Sequence, residues 1–302
     1  MINLLGIKTN LYGDQPGRLS ILKVMKMIKG FIKIIRPLNC LITFFTIIVG
    51  GLICSNDNDI SAELILAGVV GFIITAAGNS INDFYDIDID KVNRPDRPLP
   101  SGVLIKKNVL VFFIFLSIIA ITLSLLINIY SFEISITSII LLLLYSYRLK
   151  RMPLIGNLIV ALLTALAFIF SGVVVGNIAL AIIPAAFAFL INLIREVIKD
   201  MEDTEGDMLL GIRTFPIRFG NKAAKYLVIV VTVILVLFTL IPFVFHIYSI
   251  EFFVAVMVIV NPILVYIIKS IFEDSSKQNL GRLSSLLKLN MVFGLIAIYM
   301  GK

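Results

Sequence analysis

Six aspartates in two groups of three are the residues of this sequence best suited to chemistry. Asp83, Asp86 and Asp90 follow an i, i+3, i+7 spacing; Asp200, Asp203 and Asp207 repeat it, each 117 positions after its counterpart. On a helix at about 100° per residue, such a triplet falls within about 60° of one direction. Three like charges on one face repel, and a cation or water must offset them. Mg2+ suits carboxylate oxygens, keeps several waters and shares substrate phosphates. Two such faces opposed across a cavity would hold two Mg2+ and a diphosphate between them. Asn82, beside Asp83, would add a ligand or a hydrogen bond, while Asp88 and Glu205 point elsewhere and are expected in solvent. One acidic string beside a membrane would read as an ordinary charged loop. Its duplication at one spacing points to a site.

A diphosphate in such a site needs cations as it leaves. Lys91, Arg94 and Arg97 flank the first triplet; Lys150, Arg151 and Arg36 are further candidates. An arginine fork matches phosphate geometry, and lysine acts as a point charge. Arg94 and Arg97 lie in a segment stiffened by Pro95, Pro98 and Pro100, more rigid than simple charge anchoring requires. Lys106, Lys107 and Arg151 fit plain anchoring better. Tyr145 and Tyr147 precede Lys150 and read either as interfacial aromatics or, for Tyr145, as a partner of Lys150 facing the diphosphate. Asn39 is a polar group inside an apolar run, a type that usually faces a bundle interior or a cavity.

The elements that must position these residues are membrane helices. The 302 residues are 59% hydrophobic and 15% charged, where a soluble domain carries roughly 45–50% and 25%. Apolar runs of bilayer-spanning length predict nine spans at 31–54, 61–82, 103–127, 133–147, 154–175, 177–198, 223–246, 249–269 and 283–301. The fold expected is an all-α polytopic membrane bundle, with residues 1–30 as an N-terminal arm and 31–302 as the transmembrane domain. Of the 26 basic residues, every one except Lys302 falls in the arm or an alternate connection. By the positive-inside rule the N-terminus and the aspartate face are cytoplasmic and the C-terminus is outside. The net charge of +7 is thus a topology signal, and no nucleic-acid partner is expected. The acidic segments recur four spans apart, as two parallel pseudo-repeats of four helices would produce. Cys40, Cys54 and the single His246 have no metal-ligand spacing.

Asn82-Asp83-Xaa-Xaa-Asp86-Xaa-Xaa-Xaa-Asp90 resembles the first motif of the UbiA superfamily of intramembrane prenyltransferases, and Asp203-Xaa-Xaa-Xaa-Asp207 preceded by Asp200 resembles the second. Arg36-Pro-Leu-Asn39 and Tyr145 to Lys150 also look like family features. The likeness runs from about residue 31 to 300 and leaves the arm outside. Segments 93–102 and 195–207 look most like the archaeal branch that makes digeranylgeranylglyceryl phosphate. The resemblance implies a UbiA-like nine-helix fold in the cell membrane, and a Mg2+ cofactor. It further implies transfer of a geranylgeranyl group from geranylgeranyl diphosphate to the free hydroxyl of geranylgeranylglyceryl phosphate, a lipid-like acceptor. Asn82 and all six aspartates would hold the metal, with Asp83, Asp86, Asp203 and Asp207 central to catalysis. Asn39, Asn82, Arg36, Arg94, Arg97, Tyr145 and Lys150 would contact substrate. The rivals are an aromatic acceptor on the same fold and, more remotely, a divalent-cation transporter. The latter would want ionisable residues near mid-membrane, and these cluster at one face. The Asp-Gly-Xaa-Xaa-Ala-Arg string of CDP-alcohol phosphotransferases is absent. Acceptor identity, donor length, the general base and the oligomeric state stay open in the sequence.

Overall fold

The computed structural model describes residues 16–55, 59–209 and 211–302, so residues 1–15 of the N-terminal arm lie outside the described residues. Among the described residues nine helices are long and apolar enough to cross a membrane. They are α2 (Pro37–Cys54), α3 (Ala62–Tyr85), α5 (Lys106–Leu125), α6 (Ile129–Tyr147), α7 (Ile155–Val174), α8 (Ile178–Glu202), α10 (Phe215–Val244), the joined α11 (Ile250–Ala255) and α12 (Asn261–Glu273), and α13 (Lys277–Gly301). The protein is a multi-pass membrane protein. Three further helices complete it at the ends of spans: the 20-residue α1 (Pro16–Ile35) and the short α4 (Ile87–Asn93) and α9 (Thr204–Leu209).

The expected span at 31–54 begins at Pro37 instead. Proline disfavours helical backbone in the residue before it. Arg36 accordingly leaves the helix, with φ 52 and ψ 72, and separates α1 from α2. α1 exposes Val24, Met25, Ile28 and Ile32. Its other face, Met27, Phe31, Ile34 and Ile35, packs on Leu99, Leu104 and Val109. The proline-bearing loop after α4 is thereby pinned under α1, and turn bonds such as Leu104 N to Pro98 O, 2.9 Å, lock it internally.

The repeat read from the aspartates extends to the helices. Shifted by 117 positions, α3 falls on 179–202, beside the observed Ile178–Glu202 of α8. Each helix breaks at its middle aspartate. Asp86 has φ −93 and ψ 4, Asp203 has φ −91 and ψ 1, and a short helix follows each. The first half buries Ile47, Leu64, Val70, Ala77, Ile81 and Ala120 against one another, and the second half builds a separate core around Ile194, Val228, Leu264 and Leu287. α2 and α7 pack between the halves, where Ser171 donates to the carbonyl of Ile47 at 2.9 Å.

Lipid tails are as apolar as side chains, so helix association in a membrane depends on close packing at small residues. A Cβ on Gly51 would sit 2.3 Å from Leu64 Cδ1 and 3.0 Å from its Cγ, and Leu64 is 0% exposed. We expect Gly51→Val to push α2 off α3 and to cost about 1–3 kcal/mol by overpacking. A melting curve in detergent checks this; an unchanged Tm would contradict the packing.

Candidate active site

The first triplet is held by a network of cations. Asp83 and Asp90 are each 4% exposed, and a buried carboxylate needs a partner to stay ionised. Arg97 Nη1 donates to Asp83 Oδ1 at 3.2 Å and to Asp90 Oδ2 at 2.5 Å. Arg36 Nη2 reaches Asp83 Oδ1 at 2.5 Å. Lys150 Nζ donates to Asp86 Oδ1 at 2.5 Å and to Asn82 Oδ1 at 3.1 Å, and Asn82 Nδ2 donates to Asp86 Oδ2 at 2.9 Å. Burial pushes the Lys150 ammonium down from its ordinary value, with Asp86 opposing.

Local backbone sets these reaches. The left-handed turn at Arg36 leaves the last carbonyls of α1 without helical partners. Asn79 Nδ2 donates to Ile35 O at 2.7 Å, and Cys40 Sγ lies 3.1 Å from the same oxygen. Lys150 sits on a 3-10 turn, Leu149–Arg151, between α6 and α7. That turn lies so close to α7 that a Cβ on Gly156 would stand 3.0 Å from Lys150 Cα.

The second triplet is built differently. Asp200 Oδ2 accepts from Asn157 Nδ2 of α7 at 2.9 Å. The carboxylates of Asp203 and Asp207 take part in no hydrogen bond or ion pair with a described residue. Burial and the neighbouring Asp203 raise the Asp207 carboxyl to about 6, against Lys199. Higher on α8, Arg195 Nη1 meets Glu196 Oε1 at 2.6 Å. Tyr145 joins the two halves, within electrostatic reach of Glu196 and Asp200 on one side and of Asp86 and Arg36 on the other.

Most of the residues singled out in the sequence therefore meet at one end of the bundle. Arg94 and Asn39 do not join the network: both are exposed, and neither side chain bonds a described residue. Asp88 and Glu205 are exposed, Asp88 paired only with Lys91. The triplets do not lie on single straight faces, because each helix breaks at Asp86 or Asp203. Asn157 escaped sequence reasoning; its one signal was an amide inside an apolar span.

Among the described residues, no three His, Cys, Asp or Glu side chains converge tightly enough to hold a metal alone. The donors are nevertheless all oxygens, and those of Asp203 and Asp207 are unengaged. That suits Mg2+, which takes one or two carboxylates and completes its shell with water and phosphate.

The fold is a polytopic helical bundle with two aspartate segments at one end, the first of them paired with Arg and Lys. Residues 43–292 match the UbiA prenyltransferase family, and the chain belongs to that family as an intramembrane prenyltransferase. It is 35% identical over 271 residues to a digeranylgeranylglyceryl phosphate synthase of Methanosphaera stadtmanae, covering 90% of this chain and 98% of that one. The corresponding synthase of Thermococcus kodakarensis is 36% identical over 89% of this chain and 96% of its own. One solved structure, described as giving insight into digeranylgeranylglyceryl phosphate synthase in membranes, superposes with TM-score 0.78 at 33% identity, over 91% of this chain and 98% of that one. A UbiA homolog from Archaeoglobus fulgidus, bound to DMAPP and Mg2+, shares the fold at TM-score 0.67 and 19% identity, over 89% of this chain and 99% of that one.

Two expectations follow. Arg97→Met leaves Asp83 and Asp90 with fewer partners in a buried setting, where breaking a pair costs about 3–5 kcal/mol; a lowered Tm that adding Asp90→Asn partly restores checks it. Asp207 binds its proton more tightly folded than unfolded, since its folded value of about 6 exceeds the reference 3.8. Without divalent cations, stability should therefore fall as pH rises from about 4 to 6. Asp207→Asn should flatten that dependence and shrink the Tm gain that Mg2+ gives at pH 7.5.

Proposed function

We propose that this protein transfers a geranylgeranyl group from geranylgeranyl diphosphate to the free hydroxyl of geranylgeranylglyceryl phosphate, giving digeranylgeranylglyceryl phosphate. The observation that carries the reading is near-complete coverage, at about a third identity, of synthases named for that product. We place the N-terminus and the aspartate end on the cytoplasmic side of the cell membrane and the C-terminus outside, on the positive-inside rule. Residues 31–302 form the transferase domain and 1–30 an arm, with Ile35 of α1 tied to the site through Asn79.

Asp203 and Asp207, with Asp200 and the first triplet beside Asn82, are the oxygen donors that would hold Mg2+. Bound there, Mg2+ supplies Lewis-acid stabilisation to the charge building on the departing diphosphate. Arg36, Arg97 and Lys150 stand ready in their carboxylate pairs to donate to phosphate oxygens, and the fork of Arg97, already spanning two anions, suits a two-oxygen contact. The scissile C–O bond breaks toward a carbocation-like centre, which Tyr145 and the apolar helix walls screen from water. The prenyl chain lies among the spans.

The test is a transfer assay with purified protein, Mg2+ and geranylgeranyl diphosphate, offering geranylgeranylglyceryl phosphate and a hydroxybenzoate side by side. Ether product from the first acceptor alone is expected; prenylation of the aromatic alone would replace this reading with the quinone-type one. Asp86→Ala and Asp203→Ala should each lower transfer by at least about a hundredfold with helical circular dichroism unchanged.

A further inference from the structure

Making an ether from an alcohol releases a proton, and the aspartates and cations described above are all engaged with one another or suited to metal and phosphate. One buried carboxylate at the site has no such task. Glu196 lies one helical turn from Asp200 on α8, deeper in the membrane, and is 8% exposed. An ionisable side chain at that depth is costly to keep and is a functional candidate by default.

The duplication makes the choice of residue informative. Glu196 falls 117 positions after Asn79, as Asp200 falls after Asp83. In the first half this position is an amide whose work is structural, since Asn79 caps the carbonyl of Ile35. The second half has its own break before α7, at Leu154 with φ 65, but an ionised carboxylate has no N–H to donate to a freed carbonyl there, and the amide in this half, Asn157, serves Asp200 instead. A carboxylate here therefore does something its counterpart does not. Glu196 Oε1 accepts from Arg195 Nη1 at 2.6 Å, a contact that aims the carboxylate. Oε2 accepts no hydrogen bond from a described residue. Charged and titratable groups around it are Arg195 and Asp200 on its own helix and Tyr145 on α6. The Arg195–Glu196 pair is thus a held carboxylate with one oxygen free, beside the tyrosine that links both aspartate segments.

The geometry points to Glu196 as the group that takes the proton from the acceptor's hydroxyl. Resting on the transfer reading above, the step balances as follows. The donor's C1–O bond breaks and its electron pair leaves with the diphosphate. The acceptor oxygen uses a lone pair to form the O–C1 ether bond, and its proton moves to Glu196 Oε2, from which water removes it. Arg195 is a positioning residue that holds Oε1.

The experiment measures two rates on the full-length protein in nanodiscs with Mg2+ and geranylgeranyl diphosphate: ether formation with geranylgeranylglyceryl phosphate, and slow cleavage of the donor by water without acceptor. Glu196→Gln keeps shape and removes basicity. It should lower ether formation by about a hundredfold or more while donor cleavage stays within about threefold of wild type. The double variant Arg195→Gln/Glu196→Gln removes both buried charges, so a misfolded single variant does not end the test; the same split is expected of it. Ether formation near the wild-type rate in either variant overturns the assignment. So does equal loss of both rates in a folded variant, which would place Glu196 with the donor. If the wild type itself makes no ether from this acceptor, the transfer reading falls and the assignment with it; if the wild type does and the variants do as well, only Glu196 falls.

Discussion

The site end of this bundle is organised by the need to keep carboxylates charged at the edge of a low-dielectric slab. Asp83 and Asp90 are buried to the same degree as the apolar residues around them. Unpaired, each would carry a desolvation cost of several kcal/mol. Arg97 answers both at once, and it can do so only because its loop is fixed. Turn bonds and three prolines hold that loop, and α1 packs on Leu99 and Leu104 from the other side. Arg36 reaches Asp83 from a left-handed turn, a conformation that costs of order 1–3 kcal/mol in a non-glycine residue. Pro37 and the Asn79 cap on Ile35 hold it there. The entry of the first span, the loop after α4 and the turn carrying Lys150 are thus three separate pieces of chain shaped by one electrostatic requirement.

The membrane also explains what could be read from the sequence. Nine spans were legible because the bilayer fixes how long an apolar run must be. The two triplets were legible because spacing survives duplication. The partners Arg36, Arg97 and Lys150 could be listed as candidates, yet nothing in their positions says which aspartate each would take. The breaks at Asp86 and Asp203 were illegible for a plainer reason. A residue with ψ near 0 needs no glycine or proline, so the backbone bends there without a signal in residue type. The break is visible only in the folded chain, where Asp90 N still bonds Asp86 O at 2.8 Å and Asp207 N bonds Asp203 O at 3.0 Å across it. Arg94 carries the complementary lesson: sharing a rigid loop with Arg97 did not bring it to the site.

The two halves share a backbone plan and differ in charge. In the first, Asp83, Asp86 and Asp90 face Arg36, Arg97 and Lys150, and the formal charges cancel. In the second, among the described residues, Arg195 alone forms an ion pair with Asp200, Asp203, Asp207 or Glu196, and Lys199 acts on Asp200 and Asp207 without pairing. A diphosphate alone would be drawn to the cations of the first half and repelled by the carboxylates of the second. Divalent cations would reverse that repulsion, so the second half would gain a reason to approach the ligand only when metal accompanies it. Because the first half is already neutral, its arginines and lysine can turn toward phosphate only as their carboxylates find another cation. In the proposed reaction metal and diphosphate would thereby favour each other's binding through the same set of ion pairs, and the pairing that stabilises the ligand-free protein would become the source of selectivity for a metal-bound diphosphate.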